Sequence, residues 1–235
     1  MKVDVLGVKI DRVDMRQAVD QVVQLVAKSG KHYVVTPNPE IVMAAQQDHE
    51  LLTILNSADL AVPDGIGLVW ANSALHSRVA GVDLMRELCK VSAQKGFTVG
   101  LLGGAPKVAE KTAQVLKNQY PGLQVIFVYA GDGSMAGDEE IRRQMGAGID
   151  LLFVAFGFPK QERWIARNLP YIPVKVAMAV GGSFDLIAGQ KKRAPEWLQQ
   201  LGLEWLWRLV REPWRWRRQL ALGKFVWQVV RHIRH

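Results

Sequence analysis

The sequence predicts an α/β fold of the doubly wound kind: a largely parallel sheet with helices on both faces, plus a C-terminal helical appendage. Three observations carry this. Strand-like and helix-like segments alternate along the first 189 residues. The later strand candidates, LLFVA at 151–155 and VKVAMAV at 174–180, are continuous apolar runs, the pattern of strands covered on both faces. Beyond this the character changes. The 46 residues from Gln190 hold eleven Lys or Arg, three Glu and six of the eight tryptophans, a balance of +8. The preceding 189 residues hold 19 basic and 19 acidic side chains and sum to zero.

The elements follow in order. Val3–Ile10 alternates like a strand, and Asp14 caps an amphipathic helix that runs to Ser29. His32–Thr36 is a short apolar strand, followed by a helix from Pro39 to Gln47. A second short helix covers Asp48–Ser57, Leu60–Val62 is a brief strand, and Val82–Gln94 is helical. The clearest β-α-β unit comes next: Thr98–Leu102, a Gly103-Gly104 turn, a helix from Pro106 to Gln119, and the strand Gln124–Tyr129. Asp138-Glu139-Glu140 reads as the solvated first turn of a helix. Pro195–Arg211 is helical, Pro213 breaks it, and Trp214–His235 continues as a second helix. The chain thus divides into a domain of residues 1–194 and an appendage of 195–235.

Composition narrows the class. The single cysteine, Cys89, lies in an apolar helical pattern; it excludes an intramolecular disulfide framework and fits a reducing compartment. The N-terminus alternates and carries early acids, unlike a signal peptide. No apolar run reaches the roughly 18 residues of a bilayer span. A neutral body with a basic end suits an anionic surface. In the last helix Arg217, Lys224, Gln228, Arg231 and His235 form a polar stripe opposite Leu222, Val226, Val229, Val230 and Ile233, with Trp216 and Trp227 on one flank. Tryptophans among aliphatic residues on a helix face fit a membrane interface. A nucleic-acid partner is not expected, because it would need basic residues mixed with stacking aromatics on a sheet face or in a groove. Apolar surface left uncovered by the tail would suit a homo-oligomer.

Ligands of open parallel sheets bind at the carboxyl ends of the strands, and five polar or glycine-rich sequences fall there. In Thr36-Pro37-Asn38-Pro39-Glu40, Thr36 and Asn38 offer a hydroxyl and an amide, or cap a helix. In Val62-Pro63-Asp64-Gly65-Ile66-Gly67, Asp64 is placed as a general base, or as part of an Asp-Gly turn. Gly103-Gly104 brings backbone close to phosphate oxygens, or makes a tight turn. In FGFPKQERW (156–164), Lys160 and Gln161 are within reach of a nucleotide or sugar, or open a helix with solvated charges. In VGGSFDLIAG (180–189), Gly181 ends a strand and Asp185 can accept from a base or ribose, or sit near a helix cap. No HxxxH, CxxC or DxD pattern marks a metal site, and no cofactor is expected. The glycine fingerprint of a nicotinamide-dependent oxidoreductase is incomplete, and Asp132 comes later than a ribose-binding acid usually does. No GxSxG or Cys-His pattern marks a covalent nucleophile.

Taken in order, VTPNPE (35–40), VPDGIG (62–67), RVAGVDL (78–84), LLGG (101–104), FGFPKQERW (156–164), VGGSFDLIAGQKKRAPEW (180–197) and GLEWLWRLVREP (202–213) resemble the WecG/TagA/CpsF family of bacterial glycosyltransferases. The resemblance spans nearly the whole chain. It implies a Rossmann-like sheet and a metal-independent, inverting sugar transfer. The implied donor is UDP-N-acetylmannosamine, or an alternative such as the uronic acid or another UDP-hexose. The implied acceptor is undecaprenyl-diphosphate-linked N-acetylglucosamine, in teichoic acid or other cell-surface polysaccharide synthesis. It implies Asp64 as the base, with Thr36 and Asn38 as acceptor or sugar contacts and Gln161 as a substrate contact. The same blocks supply Arg78, Asp83, Gly103, Gly104, Gly181 and Asp185 as substrate-binding candidates. Arg208, Arg211, Arg215 and Arg218 recur every three or four residues along the tail. The resemblance assigns Arg208, Arg215 and Arg218 to the leaving diphosphate, with lipid phosphates as the alternative. Such a protein is expected to be cytoplasmic and peripheral on the inner face of the cell membrane.

Overall fold

The computed structural model describes residues 1–146, 148–213 and 216–233, without the side chains at 200, 208, 217–219, 232 and 233. The tail arginines assigned to the diphosphate, Arg208, Arg215 and Arg218, therefore lie outside what is described.

The chain opens with a β-hairpin, β1 (Lys2–Val5) and β2 (Val8–Asp11), paired antiparallel. Sequence alternation predicts one strand over Val3–Ile10. The correction lies at Leu6-Gly7, where φ is 53° and 84°. Two left-handed residues make a tight hairpin turn of the kind that matches strand twist. The turn shifts the phase of the alternation: Val5 and Val8 pair and are both buried, so the inward positions step from odd numbers on β1 to even numbers on β2.

A helix α1 (Met15–Ala27) follows, its Asp14 cap completed by Gln17 in a reciprocal capping box. Next come β3 (His32–Val35), α2 (Pro39–Ala45), α3 (His49–Asn56), β4 (Leu60–Ala61), α4 (Ile66–Ala71) and α5 (Gly81–Lys95). The second half contains β5 (Thr98–Gly103), α6 (Val108–Gln119), β6 (Gln124–Tyr129), α7 (Asp138–Gln144), β7 (Ile149–Ala155), α8 (Lys160–Asn168), β8 (Val174–Ala179) and α9 (Ser183–Ile187). β3 to β8 form a six-stranded sheet in the order β4-β3-β8-β7-β5-β6, parallel throughout.

The continuous apolar runs are explained by burial on both faces. Leu151 and Phe153 of β7 join α1, α5 and α6 in one core, whereas Leu152 and Val154 join Trp164 and Ile165 of α8 in another. Every strand of the second half ends in a loop on the same edge of the sheet, as parallel connections require. That edge carries the site.

The C-terminal segment forms α10 (Glu196–Gln200), α11 (Glu204–Arg211) and α12 (Trp216–Ile233). The single helix predicted over Pro195–Arg211 is two. Gly202 adopts φ +72°, and a Cβ there would stand 2.9 Å from Ile66 Cγ2. This left-handed residue turns the chain against α4, a conformation that glycine alone adopts readily.

The apolar face predicted for α12 also splits. Phe225 is 2% exposed and packs with Val42 of α2 and Leu68 of α4; Ala221 and Val229 lie against the same cluster. Trp216, Leu220, Val226, Trp227 and Val230 are 44–61% exposed. Phe225 stands outside the predicted stripe, yet its insertion sets the rotation of the helix. It leaves Trp216, Leu220, Trp227 and Val230, spaced by three, four or seven residues, on the outward face.

Phe225→Ala is expected to lower stability by about 3–5 kcal/mol, the usual cost of emptying a fully buried aromatic site. Urea unfolding of the full chain measures it. A loss below about 1 kcal/mol would mean that α12 is not anchored through this ring.

Candidate active site

The strand-end loops interlock before they enclose anything. The loop after β3 contains Pro39, and the loop after β4 contains Gly65 and Gly67. A Cβ on Gly65 would come within 2.5 Å of Pro39 Cδ, and one on Gly67 within 2.9 Å of Pro39 Cγ. Gly65 has φ −119°, so the Asp64-Gly65 pair is not a left-handed turn. Glycine is needed there for space. The Asp64 amide donates to Pro37 O at 2.9 Å, and the Val79 amide to Pro63 O at 2.9 Å, which ties three loops together. A Cβ on Gly81 would lie 3.2 Å from Thr36 Cγ2 and 3.5 Å from Asp64 Oδ2. The first residue of α5 is thus small because Thr36 and Asp64 stand against it.

These loops border a trough of three adjoining cavities. The middle one, about 400 Å³, is lined by Thr36, Asn38, Asp64, Arg78, Gln161 and Gly181 among others. It shares Phe156, Gly157, Gly181 and Gly182 with a cavity of about 420 Å³ lined also by Gly104, Gly131, Gly133, Lys160 and Asp185. On its other side it shares Asn38, Glu40, Asp64, Arg78 and Glu204 with a cavity of about 180 Å³ whose walls include Ile66, Trp70, Trp205 and Leu222. The trough therefore runs from a glycine-lined end, past Asp64, to an end formed partly by the tail, where Trp70, Trp205 and Leu222 stand beside Glu40 and Glu204.

The structure brings Thr36, Asn38, Asp64, Arg78, Gln161 and Gly181 together in the middle cavity. Thr36 is buried, and its hydroxyl donates weakly to Ala179 O at 3.4 Å. Asn38 caps α2, its Oδ1 accepting from the Ile41 amide at 3.0 Å. That engages the oxygen and leaves the NH₂ as the group it can offer a ligand. Gln161 is 2% exposed; its Oε1 accepts from the Gly181 amide at 2.9 Å, joining the loops after β7 and β8. Its Nε2 donates to Glu162 Oε1 at 2.9 Å, which fixes the orientation of the amide.

Gly104 and Asp185 line the glycine end. Gly103 and Gly104 have φ of +102° and +83°, and a Cβ on Gly103 would meet Ala155 C at 2.7 Å. The Gly104 amide donates to Ala155 O at 3.1 Å, so this turn serves close strand packing before it serves a ligand. Asp185 lies 3.4 Å from Lys191. Asp83 is held by Arg193 through two contacts of 2.5 and 2.7 Å and lines none of the three cavities.

Arg78 is shared. Its Nε donates to the Asp64 carbonyl at 3.2 Å, and one terminal nitrogen lies 2.7 Å from Glu204 Oε2 and 3.9 Å from Asp64 Oδ1. Arg193 Nε approaches Glu204 Oε1 at 3.8 Å. Sequence reasoning missed Glu204 and Glu162. The available signal for Glu204 was its rarity as one of three acids in a basic tail; Glu162 read as a solvated charge. Among the described residues, no group of three or more His, Cys, Asp or Glu is arranged to hold a metal ion.

Fold and trough together define an α/β enzyme with an open cleft across its strand ends, glycine-lined at one extremity and bordered by the tail at the other. The chain belongs to the Glycosyl transferase WecG/TagA/CpsF family, which matches residues 3–235. It is 36% identical over 214 residues to an N-acetylglucosaminyldiphosphoundecaprenol N-acetyl-beta-D-mannosaminyltransferase of Bacillus subtilis (strain 168), covering 86% of this chain and 83% of that one. A protein of the same name from Bacillus spizizenii is 38% identical over 207 residues, covering 86% and 80%. One from Staphylococcus aureus (strain MW2) is 33% identical over 236 residues, covering 98% and 92%.

Glu162 has a measurable signature. It is 1% exposed, and Oε2 has no hydrogen-bond partner. Burial pushes its carboxyl up from 4.5 to about 7, partly offset by the Gln161 hydrogen bond. The folded state keeps a proton that the unfolded chain releases near pH 4.5, so stability falls as pH rises from there to about 7. Glu162→Gln is expected to flatten that decline, by on the order of 3 kcal/mol across the window. Unfolding midpoints against pH check it; an unchanged slope would remove Glu162 as its source.

Proposed function

We propose that this protein is an inverting transferase that moves N-acetylmannosamine from a UDP donor to N-acetylglucosamine carried on a polyprenyl diphosphate, in teichoic acid or related cell-surface polysaccharide synthesis. The observation that carries the reading is the layout of the trough: Asp64 stands between a glycine-lined end and an end, formed partly by the tail, where Trp70, Trp205 and Leu222 stand among charged side chains. A nucleotide diphosphate fits the former, and a lipid-linked acceptor fits the latter. The relatives' names supply the sugar and the acceptor.

In this reading Asp64 accepts the proton of the acceptor hydroxyl as its oxygen attacks the anomeric carbon. The bond from that carbon to the β-phosphate oxygen breaks on the opposite face, and UDP leaves with the electron pair. Thr36 and Asn38 orient the reacting sugars, and Gln161 holds the two loops that floor the cavity. Charge developing on the diphosphate is met by cationic side chains, with Arg78 and Lys160 lining the trough and Arg208, Arg215 and Arg218 proposed from the tail. Gly103, Gly104, Gly181 and Asp185 shape the nucleotide end, and Asp83 acts at the other end, where it holds Arg193 beside Glu204.

The acceptor lives in a membrane, and the tail has a face for one. Trp216, Leu220, Trp227 and Val230 point outward, beside Lys224 and Arg231, whose guanidinium stacks 5.5 Å from the Trp227 ring. No helix among the described residues is long and apolar enough to cross a bilayer, so binding at the interface is the mode this face supports. A peripheral position would hold the tail-lined mouth of the trough near the acceptor's lipid.

Asp64→Asn is expected to lower turnover about 10²-fold or more while UDP binding stays near wild type, a typical loss for a general base. Product formation from UDP-N-acetylmannosamine and a lipid-diphosphate acceptor, followed by mass spectrometry, reads it. Turnover within about twofold of wild type would remove Asp64 from the mechanism. Replacing Trp216 and Trp227 together by Ser is expected to weaken binding to anionic vesicles on the order of tenfold without moving the unfolding midpoint. Equal flotation of the variant and wild type would rule out this face as the membrane contact.

A further inference from the structure

The tail's carboxylates are placed differently from its cations. Glu204 is 5% exposed and reaches back into the body, 2.7 Å from Arg78 and 3.8 Å from Arg193. Just beyond the other end of α11, Glu212 lies 3.1 Å from Lys191, which itself approaches Asp185 at 3.4 Å. The tail is therefore pinned at both ends of one helix. At the first pin the arginine selected is the one beside Asp64.

Two carboxylates compete for the Arg78 guanidinium. The same terminal nitrogen is 2.7 Å from Glu204 and 3.9 Å from the Asp64 carboxylate. Its Nε is tied to the Asp64 backbone carbonyl at 3.2 Å, so a small rotation separates the two pairings. A close arginine makes a carboxylate a weaker base, because it stabilises the ionised form. Arg193 cannot take over, since Asp83 holds it through two contacts. Among the described residues, the charged groups around Asp64 are Arg78 from the loop before α5, Glu40 from α2, Glu204 from α11, and Arg193 and Asp83 behind them.

We propose that Glu204 is a positioning residue for the transfer reaction: it draws the Arg78 guanidinium off the Asp64 carboxylate, so that docking of the C-terminal segment keeps the base competent. The inference rests on Asp64 being the base. Gly202 makes the geometry available, because its left-handed turn against Ile66 aims the start of α11 into the trough wall.

The test uses the full chain with UDP-N-acetylmannosamine and a lipid-diphosphate N-acetylglucosamine acceptor. Glu204→Gln is expected to lower kcat on the order of 10-fold with donor KM within about twofold, and to move the acidic limb of the kcat profile about one pH unit lower, as Arg78 closes on Asp64. Glu204→Asp, which keeps the charge, should recover most of kcat. Adding Arg78→Gln to Glu204→Gln should return the acidic limb to its wild-type position, which a purely structural role would not do. An unmoved limb in Glu204→Gln, or a limb that stays shifted in the double variant, overturns the proposal. If Glu204→Gln fails to fold, Glu204→Asp decides it: the longer reach to Arg78 should give a smaller shift in the same direction, and no shift overturns it. Asp64→Asn assayed in parallel separates the two ideas. Near-normal turnover there removes the base itself, whereas an inactive Asp64→Asn beside a wild-type Glu204→Gln removes only the role of Glu204.

Discussion

The contact on which the site depends is apolar and small: Pro39 fills the space that side chains at residues 65 and 67 would occupy. The loops after β3 and β4 can approach this closely only because one brings a rigid ring and the other brings none. Their closeness sets Asn38 beside Asp64 in one cavity and lets the Asp64 amide reach Pro37 O. Gly81 repeats the device from α5, giving room to Thr36 and Asp64. The polar groups of the trough are therefore positioned by steric fit among prolines and glycines, and their hydrogen bonds refine a geometry already set.

Much of the fold was legible because burial on both faces writes continuous apolar runs into β7 and β8, and because caps such as Asp14 mark helix starts. What escaped did so for definable reasons. The first hairpin hides because Leu6-Gly7 is not one of the usual hairpin-turn dipeptides and apolar residues flank it on both sides. The break at Gly202 depends on Ile66 standing opposite, a contact with no trace in local sequence. The rotation of α12 is set by Phe225 entering between α2 and α4, so a helical wheel alone grouped the inward Val229 with the outward Val226 and Val230. At the site, Asp64, Thr36, Asn38 and Gln161 were visible from their position after apolar strands, and the family resemblance gave them roles. Glu204 was invisible in that sense, since its importance lies in a partner 126 residues away.

The tail combines two opposed electrostatic demands. Its excess of cations suits an anionic surface, yet an isolated basic segment would have little to hold it on a neutral body. Glu204 and Glu212 provide that hold, and both are largely withdrawn from solvent. Buried ion pairs contribute modestly to stability after desolvation, but removing one partner is costly because it strands the other charge. The hydrophobic attachment through Phe225 and the ionic attachment through Glu204 lie on different helices, so α11 and α12 are registered on the body independently.

The carboxyl of Glu162 has a thermodynamic consequence for ligand binding. Burial pushes it up to about 7, and its Oε1 accepts a hydrogen bond from the same Gln161 amide that bridges to Gly181. A ligand that recruits Gln161 changes the surroundings of a group poised to gain or lose a proton. Binding heats measured in buffers of different ionisation enthalpy would then differ by the protons exchanged, so the protein's own carboxyl would report the movement of a residue that carries no charge.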